Sequence, residues 1–238
     1  MLFRSRFSLP PTIQAALDEL LLTLDQALGE NLHAVVLHGS AARGDYVAGE
    51  SDVDLVVVLG NAPIDVLEEI GAGLQLARYK ARIEAILLLE KETNRVADVF
   101  PLMIQDIAEA GIALRGVNPF VGVATKPEHV RLRVEQELRN TQLRLRRATA
   151  EARGDIAILQ QVVRRKSRQL RSSLRAALGL FGEEAPARLE DLYEALGKRH
   201  SLSGLPVTGE LPDPRASAAA LASLLTLVLE EVDAVEVS

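Results

Sequence analysis

Apolar positions in this chain fall into two different rhythms. Residues 12–28 carry Ile13, Ala16, Leu17, Leu20, Leu21, Leu24 and Leu28 at helical spacing, which predicts an amphipathic helix. Thr12 stands where an N-cap belongs and Gly29 where a helix stops. Short apolar runs follow at 34–37, 53–59 and 83–89. Their near-continuous Val, Leu and Ile predict strands covered on both faces. A helix is predicted over 63–80, with Pro63 in its first turn. A short one is predicted over 93–100, ending before Pro101, and 102–114 reads as a further strand or extended segment.

The rhythm changes after Pro127. Residues 128–153, 156–180, 189–196 and 216–232 all read as helices, with a Pro- and Gly-rich connection at 205–214. The fold class expected is therefore α+β: a small mixed-sheet domain over 1–125, then an antiparallel helical bundle over 126–238.

Composition narrows the chemistry. Hydrophobic residues make up 48% of the 238, enough for a sizeable core. The absence of Cys excludes disulfides, Cys-based zinc sites and a Cys nucleophile. Aromatics at 3% leave little to stack on single-stranded bases, and a net charge of -6 argues against broad attraction to nucleic acid. The opening MLFRSRFSLPPTIQ has no signal-like apolar stretch, and the run at 221–229 is too short to span a bilayer. A soluble cytoplasmic protein without a membrane partner is expected.

The chemistry concentrates in residues 37–55, LHGSAARGDYVAGESDVDL. Asp52 and Asp54 are two apart at the start of a strand, so both project to one face. Two carboxylates held that close repel unless a cation lies between them, and hard oxygen donors suit Mg²⁺. Gly39 and Ser40 end the preceding strand, where Gly permits close backbone approach to a ligand. Arg43 adds a positive charge for a phosphate. Gly39, Ser40, Arg43 and Ser51 are the candidate nucleotide-binding residues, with Asp52 and Asp54 the candidate metal ligands. Asp-x-Asp or Gly-Ser alone is a weak signal; the ordered combination with flanking strands is specific.

This segment resembles the signature of the polymerase-beta-type nucleotidyltransferases, the superfamily of aminoglycoside adenylyltransferases and minimal nucleotidyltransferases. The resemblance implies a triphosphate on Gly39 and Ser40 and Mg²⁺ on Asp52 and Asp54. It further implies transfer of a nucleoside monophosphate from an NTP, taken as ATP, to a hydroxyl acceptor. A third carboxylate is expected on a neighbouring strand. Glu84, opening the strand RIEAILLL, is the first candidate for this catalytic base; Asp106 and Asp98 follow. Uncharacterised bacterial proteins similar over the later part would carry an acid near position 103, where this chain has Met. A catalytically degenerate nucleotide-binding or regulatory protein acting through its helical half therefore stays open. A small-molecule or protein acceptor is favoured over nucleic acid, and a homodimer is left open. His38 reads first as a strand-end packing residue. Arg164, Arg168, Arg171 and Arg175 read as a solvated face or a phosphate-contacting stripe.

Overall fold

The computed structural model describes residues 9–206 and 211–236. Most of the opening segment and part of the 205–214 connection lie outside them. The chain divides into two compact units, 1–125 and 126–238.

The first unit is built on a mixed four-stranded sheet in the order β3-β2-β1-β4. Helix α1 (Pro11–Leu28) leads into β1 (Leu32–His38), a short helix α2 (Gly39–Arg43) and β2 (Val53–Leu59). Then come α3 (Ile64–Ala81), β3 (Ile83–Leu89), α4 (Val96–Val99), α5 (Pro101–Ala110) and β4 (Ile112–Gly116). β1 runs antiparallel to both β2 and β4, whereas β2 and β3 are parallel. The α3 crossover explains the parallel pair, which a hairpin could not make.

Period-two alternation divides the strands between two cores. Val35, Leu37, Val53, Leu55, Val57 and Leu59 face α1 and α3, together with Leu17, Leu24 and Ile70. Ala34, Val36, Val56 and Val58 face the other way, onto Ile104 and Ile107 of α5 and onto Phe120. The α+β expectation with a mixed sheet holds, and helix makes up 64% of the structure.

Three local expectations change. Helix α1 begins at Pro11 rather than after a Thr12 cap, and its N-cap residue Pro10 makes no side-chain cap; proline's fixed φ suits the first helical position. Residues 101–110 form α5, not a strand; Leu102, Ile104 and Ile107 lie buried on one side of it. The helix predicted over 156–180 is two, α7 (Ile156–Gln169) and α8 (Arg171–Leu180). Here the Ser167 carbonyl accepts the hydroxyl of buried Tyr193 at 3.0 Å, and the Ser167 hydroxyl donates back to the Val163 carbonyl at 2.7 Å. Back-bonding of this kind bends helices, and burial pushes the Tyr193 phenol far up.

The second unit holds α6 (Pro127–Glu151), α7, α8, α9 (Leu189–His200) and α10 (Pro214–Ala234), with α6 packed on α7, α8 and α10. Asp155 and Asp213 cap α7 and α10 by accepting two backbone N–H groups each, which satisfies donors the first turn leaves open. The exposed side of α6 is laced by ion pairs four residues apart, such as Arg131–Glu135 and Arg147–Glu151. Of the arginine stripe, Arg164, Arg168 and Arg175 are part-exposed, and one member is not at the surface. Arg171 is buried and donates to the Ala187 carbonyl, beyond the break between α7 and α8. Among the described residues no helix is long and apolar enough to cross a membrane.

Candidate active site

Strand register brings the site together. Asp54 on β2 pairs with His38 on β1 and with Glu84 on β3. Cross-strand partners project from the same face of a sheet. Glu84, Asp54 and His38 therefore form a row across three strands, on the face covered by α5. The coverage thins at the start of β3: Ile86, two residues past Glu84, is 41% exposed, and only Leu88 beyond it packs on the α5-side core. The row is thus shielded over His38 and open over Glu84.

Asp54 is the unusual member. It is partly buried, yet it accepts no hydrogen bond and makes no ion pair among the described residues. Burial raises its pKa; the His38 charge opposes this, and the Asp52 and Asp106 charges add to it. A carboxylate enclosed without a partner is costly, and a divalent cation is the partner whose charge would offset that cost. Among the described residues no three His, Cys, Asp or Glu side chains group closely enough to enclose a metal. A pair of carboxylates whose remaining positions are left to water and phosphate oxygens is the habit of Mg²⁺.

Asp52 is held differently. Its Oδ1 accepts the Arg82 Nε–H at 2.7 Å, and a second Arg82 nitrogen donates to the Gly49 carbonyl at 3.0 Å. Arg82 itself sits at φ +52, ending α3 just before β3. One arginine thus ties the 44–51 loop to the first carboxylate. Sequence reasoning misses this, because an arginine beside a strand reads as ordinary surface charge.

The glycine of the motif has a steric reason. Gly39 adopts φ +70, and a Cβ there would lie 2.3 Å from Asp54 Oδ2. The strand-end backbone and the metal-ligand candidate touch only because no side chain intervenes. Helix α2 starts at Gly39 and closes on Gly44 at φ +82. Ser40 lies in its first turn. The Ser51 hydroxyl accepts the Val47 N–H at 3.0 Å, bracing the loop.

The other acids divide. Glu84 is 46% exposed and pairs with Arg78 at 3.0 Å. Asp98 is exposed on α4, and Met103 packs against the α5-side core. Asp106 projects from α5 to the motif backbone: Oδ2 accepts the Gly39 N–H at 2.8 Å, and Arg43 pairs with Oδ1. His38 Nδ1 lies 3.7 Å from Asp106 Oδ2. Burial pushes Asp106 up, but His38, Arg43 and the Gly39 N–H outweigh it and hold the carboxyl below its usual range.

Residues 17–113 match the family model of the nucleotidyltransferase domain. Over these residues the chain is similar to a nucleotidyltransferase domain. The matched span contains the row, the motif loop and Asp106. The crystal structure of spectinomycin adenyltransferase AAD(9) from Enterococcus faecialis, with ATP and spectinomycin, superimposes with a TM-score of 0.53. Identity is 13%, over 90% of this chain and 99% of that one, so this likeness speaks for the fold. No curated protein matches the sequence. The match over residues 17–113 supports nucleoside monophosphate transfer in general.

Proposed function

We propose that the protein transfers a nucleoside monophosphate, AMP from ATP first, to a hydroxyl of a small molecule. The observation that carries this is Asp54: an enclosed carboxylate without a hydrogen bond or ion pair among the described residues, beside Gly39 and in register with Glu84. Asp52 and Asp54 would hold Mg²⁺. When bound, the ion would neutralise charge on the reacting phosphate oxygens. Gly39, Ser40 and Arg43 would receive the triphosphate, and Ser51 would shape the loop around it.

In the reaction the acceptor oxygen attacks the α-phosphorus, and the bond from that phosphorus to the bridging oxygen breaks. Pyrophosphate leaves with the electron pair. Glu84 takes the proton of the acceptor hydroxyl at the open end of the row. A nearby base is useful here because a neutral hydroxyl is a poor nucleophile. ATP and a small hydroxylated acceptor are favoured by the ligands of the AAD(9) structure. An ATP-consuming step of this kind fits the cytoplasm.

The test is incubation with α-labelled ATP and Mg²⁺ against a panel of hydroxylated small molecules, spectinomycin included, with label transfer and pyrophosphate both measured. Mg²⁺-dependent transfer to a panel member is expected, and Glu84→Gln should slow it by roughly 10²–10⁴-fold, the usual reach of general-base catalysis. Unchanged turnover in Glu84→Gln would remove Glu84 from the role. Mg²⁺-dependent ATP binding with no transfer to any acceptor would favour a nucleotide-binding regulatory protein.

A further inference from the structure

The donors assigned to the triphosphate are already engaged. The Gly39 N–H carries one hydrogen, and Asp106 Oδ2 receives it at 2.8 Å. The Arg43 guanidinium pairs with the other oxygen, Asp106 Oδ1. The carboxylate is only 12% exposed, and His38 stands 3.7 Å away on its inner side. Its helix is not free to drift. Ile104 and Ile107 are buried in the core under the sheet, and the Gln105 amide donates to the Thr125 hydroxyl at 3.2 Å.

A carboxylate and a phosphate present the same chemistry to such donors: a compact anion with oxygens that accept charge-assisted hydrogen bonds. Resting on the nucleotide reading above, we propose that Asp106 is a resident anion in the triphosphate cradle and a specificity-determining residue. An incoming phosphate chain must displace it from Gly39 and Arg43. A triphosphate with its cation brings enough charge and enough contacts to do so. Inorganic phosphate and nucleoside monophosphates bring fewer and are turned away. The same competition lowers the apparent affinity for every anion, so weak binders fall below the level at which they occupy the cradle while the substrate still does.

The consequence is a gain in affinity on removal. If the carboxylate leaves the cradle in about a tenth of molecules, apparent affinity is reduced about tenfold relative to an open cradle. Calorimetric titration with Mg²⁺·tripolyphosphate and with inorganic phosphate, on the full chain and on Asp106→Asn, reads this directly. The base of ATP is left out so that only the phosphate donors are tested. Asp106→Asn should bind tripolyphosphate about tenfold more tightly, and inorganic phosphate should bind measurably only in that variant. Asp45→Asn is the control for charge alone, since Asp45 Oδ2 also lies near Arg43, at 3.5 Å, without using the Gly39 N–H.

Equal or weaker tripolyphosphate binding in Asp106→Asn overturns the proposal and leaves Asp106 as a brace for the loop. Equal tightening in Asp45→Asn overturns it too. If neither the unaltered protein nor Asp106→Asn binds Mg²⁺·ATP, the nucleotide reading itself fails and the proposal falls with it. Should Asp106→Asn not fold, the Gly39 amide resonance of the unaltered protein serves instead. It should shift when Mg²⁺·tripolyphosphate is added, as its acceptor changes; binding without such a shift contradicts displacement.

Discussion

Replacing Asp54 by Asn is expected to abolish nucleotidyl transfer and, at the same time, to raise the melting temperature of the metal-free protein. The two effects have one cause. Asp54 is enclosed between His38 and Glu84 with no hydrogen bond or ion pair among the described residues, and burial raises its pKa. A carboxyl whose pKa is raised in the folded state binds its proton more tightly there than when unfolded. Its favourable contribution is present below the unfolded pKa and is lost as pH rises through the folded pKa. Above that pH the ionised group weighs against the fold. Asn removes the charge at nearly constant shape. The gain in melting temperature should therefore be largest at neutral and alkaline pH and shrink as pH falls through the raised pKa. Transfer should fall by at least about a thousandfold, the scale on which lost charge stabilisation acts at a transition state. Calorimetric melts across pH, set beside a transfer assay, check both halves. A lower melting temperature in Asp54→Asn at neutral pH would show that the carboxylate is satisfied in a way the geometry denies.

Gly39→Ala should be the most damaging single methyl group in the domain. Backbone and packing both oppose it. At φ +70 an L-residue is disfavoured by about 1–2 kcal/mol. The new Cβ would also lie 2.3 Å from Asp54 Oδ2 and 3.2 Å from its Cγ, so the carboxylate or the loop must move. A total loss of about 2–4 kcal/mol is expected, along with loss of metal-dependent nucleotide binding. Gly44→Ala separates the two contributions, since Gly44 shares the backbone conformation at φ +82 but has open space for 4 Å around the place a Cβ would take. Denaturant titrations of the pair should show Gly44→Ala losing only the backbone share and keeping binding. Similar losses in both would mean that Gly39 is needed for its backbone alone.

How much can be read from the sequence depends on the distance over which each feature is determined. β1, β2 and β3 are legible because strands covered on both faces need unbroken apolar residues, as in VDLVVVL. The Asp52 and Asp54 spacing is legible because alternation along one strand decides which face each side chain takes. α5 reads as extended because a ten-residue helix shows few turns of its period, and Met103 blurs them. The break at Leu170 depends on Tyr193, whose hydroxyl arrives from 26 residues away. Asp106 likewise reaches Gly39 across 67 residues, and only the packing of α5 on Val36 and Val56 determines where it points. The sequence offers Asp106 for its charge; its engagement with Gly39 and Arg43 is a tertiary fact. Glu84 stands out as a charge opening an apolar strand, and the register beside Asp54 comes from the α3 crossover that makes β2 and β3 parallel.

The most direct measurement is anomalous diffraction from crystals grown with Mn²⁺ and a non-hydrolysable ATP analogue. Manganese takes the oxygen ligands that magnesium does and can be located unambiguously. A manganese peak between the Asp52 and Asp54 carboxylates is predicted, with phosphate oxygens at the Gly39 N–H and Arg43. A nucleotide bound elsewhere, or a manganese peak away from both aspartates, would contradict the assignment of this site.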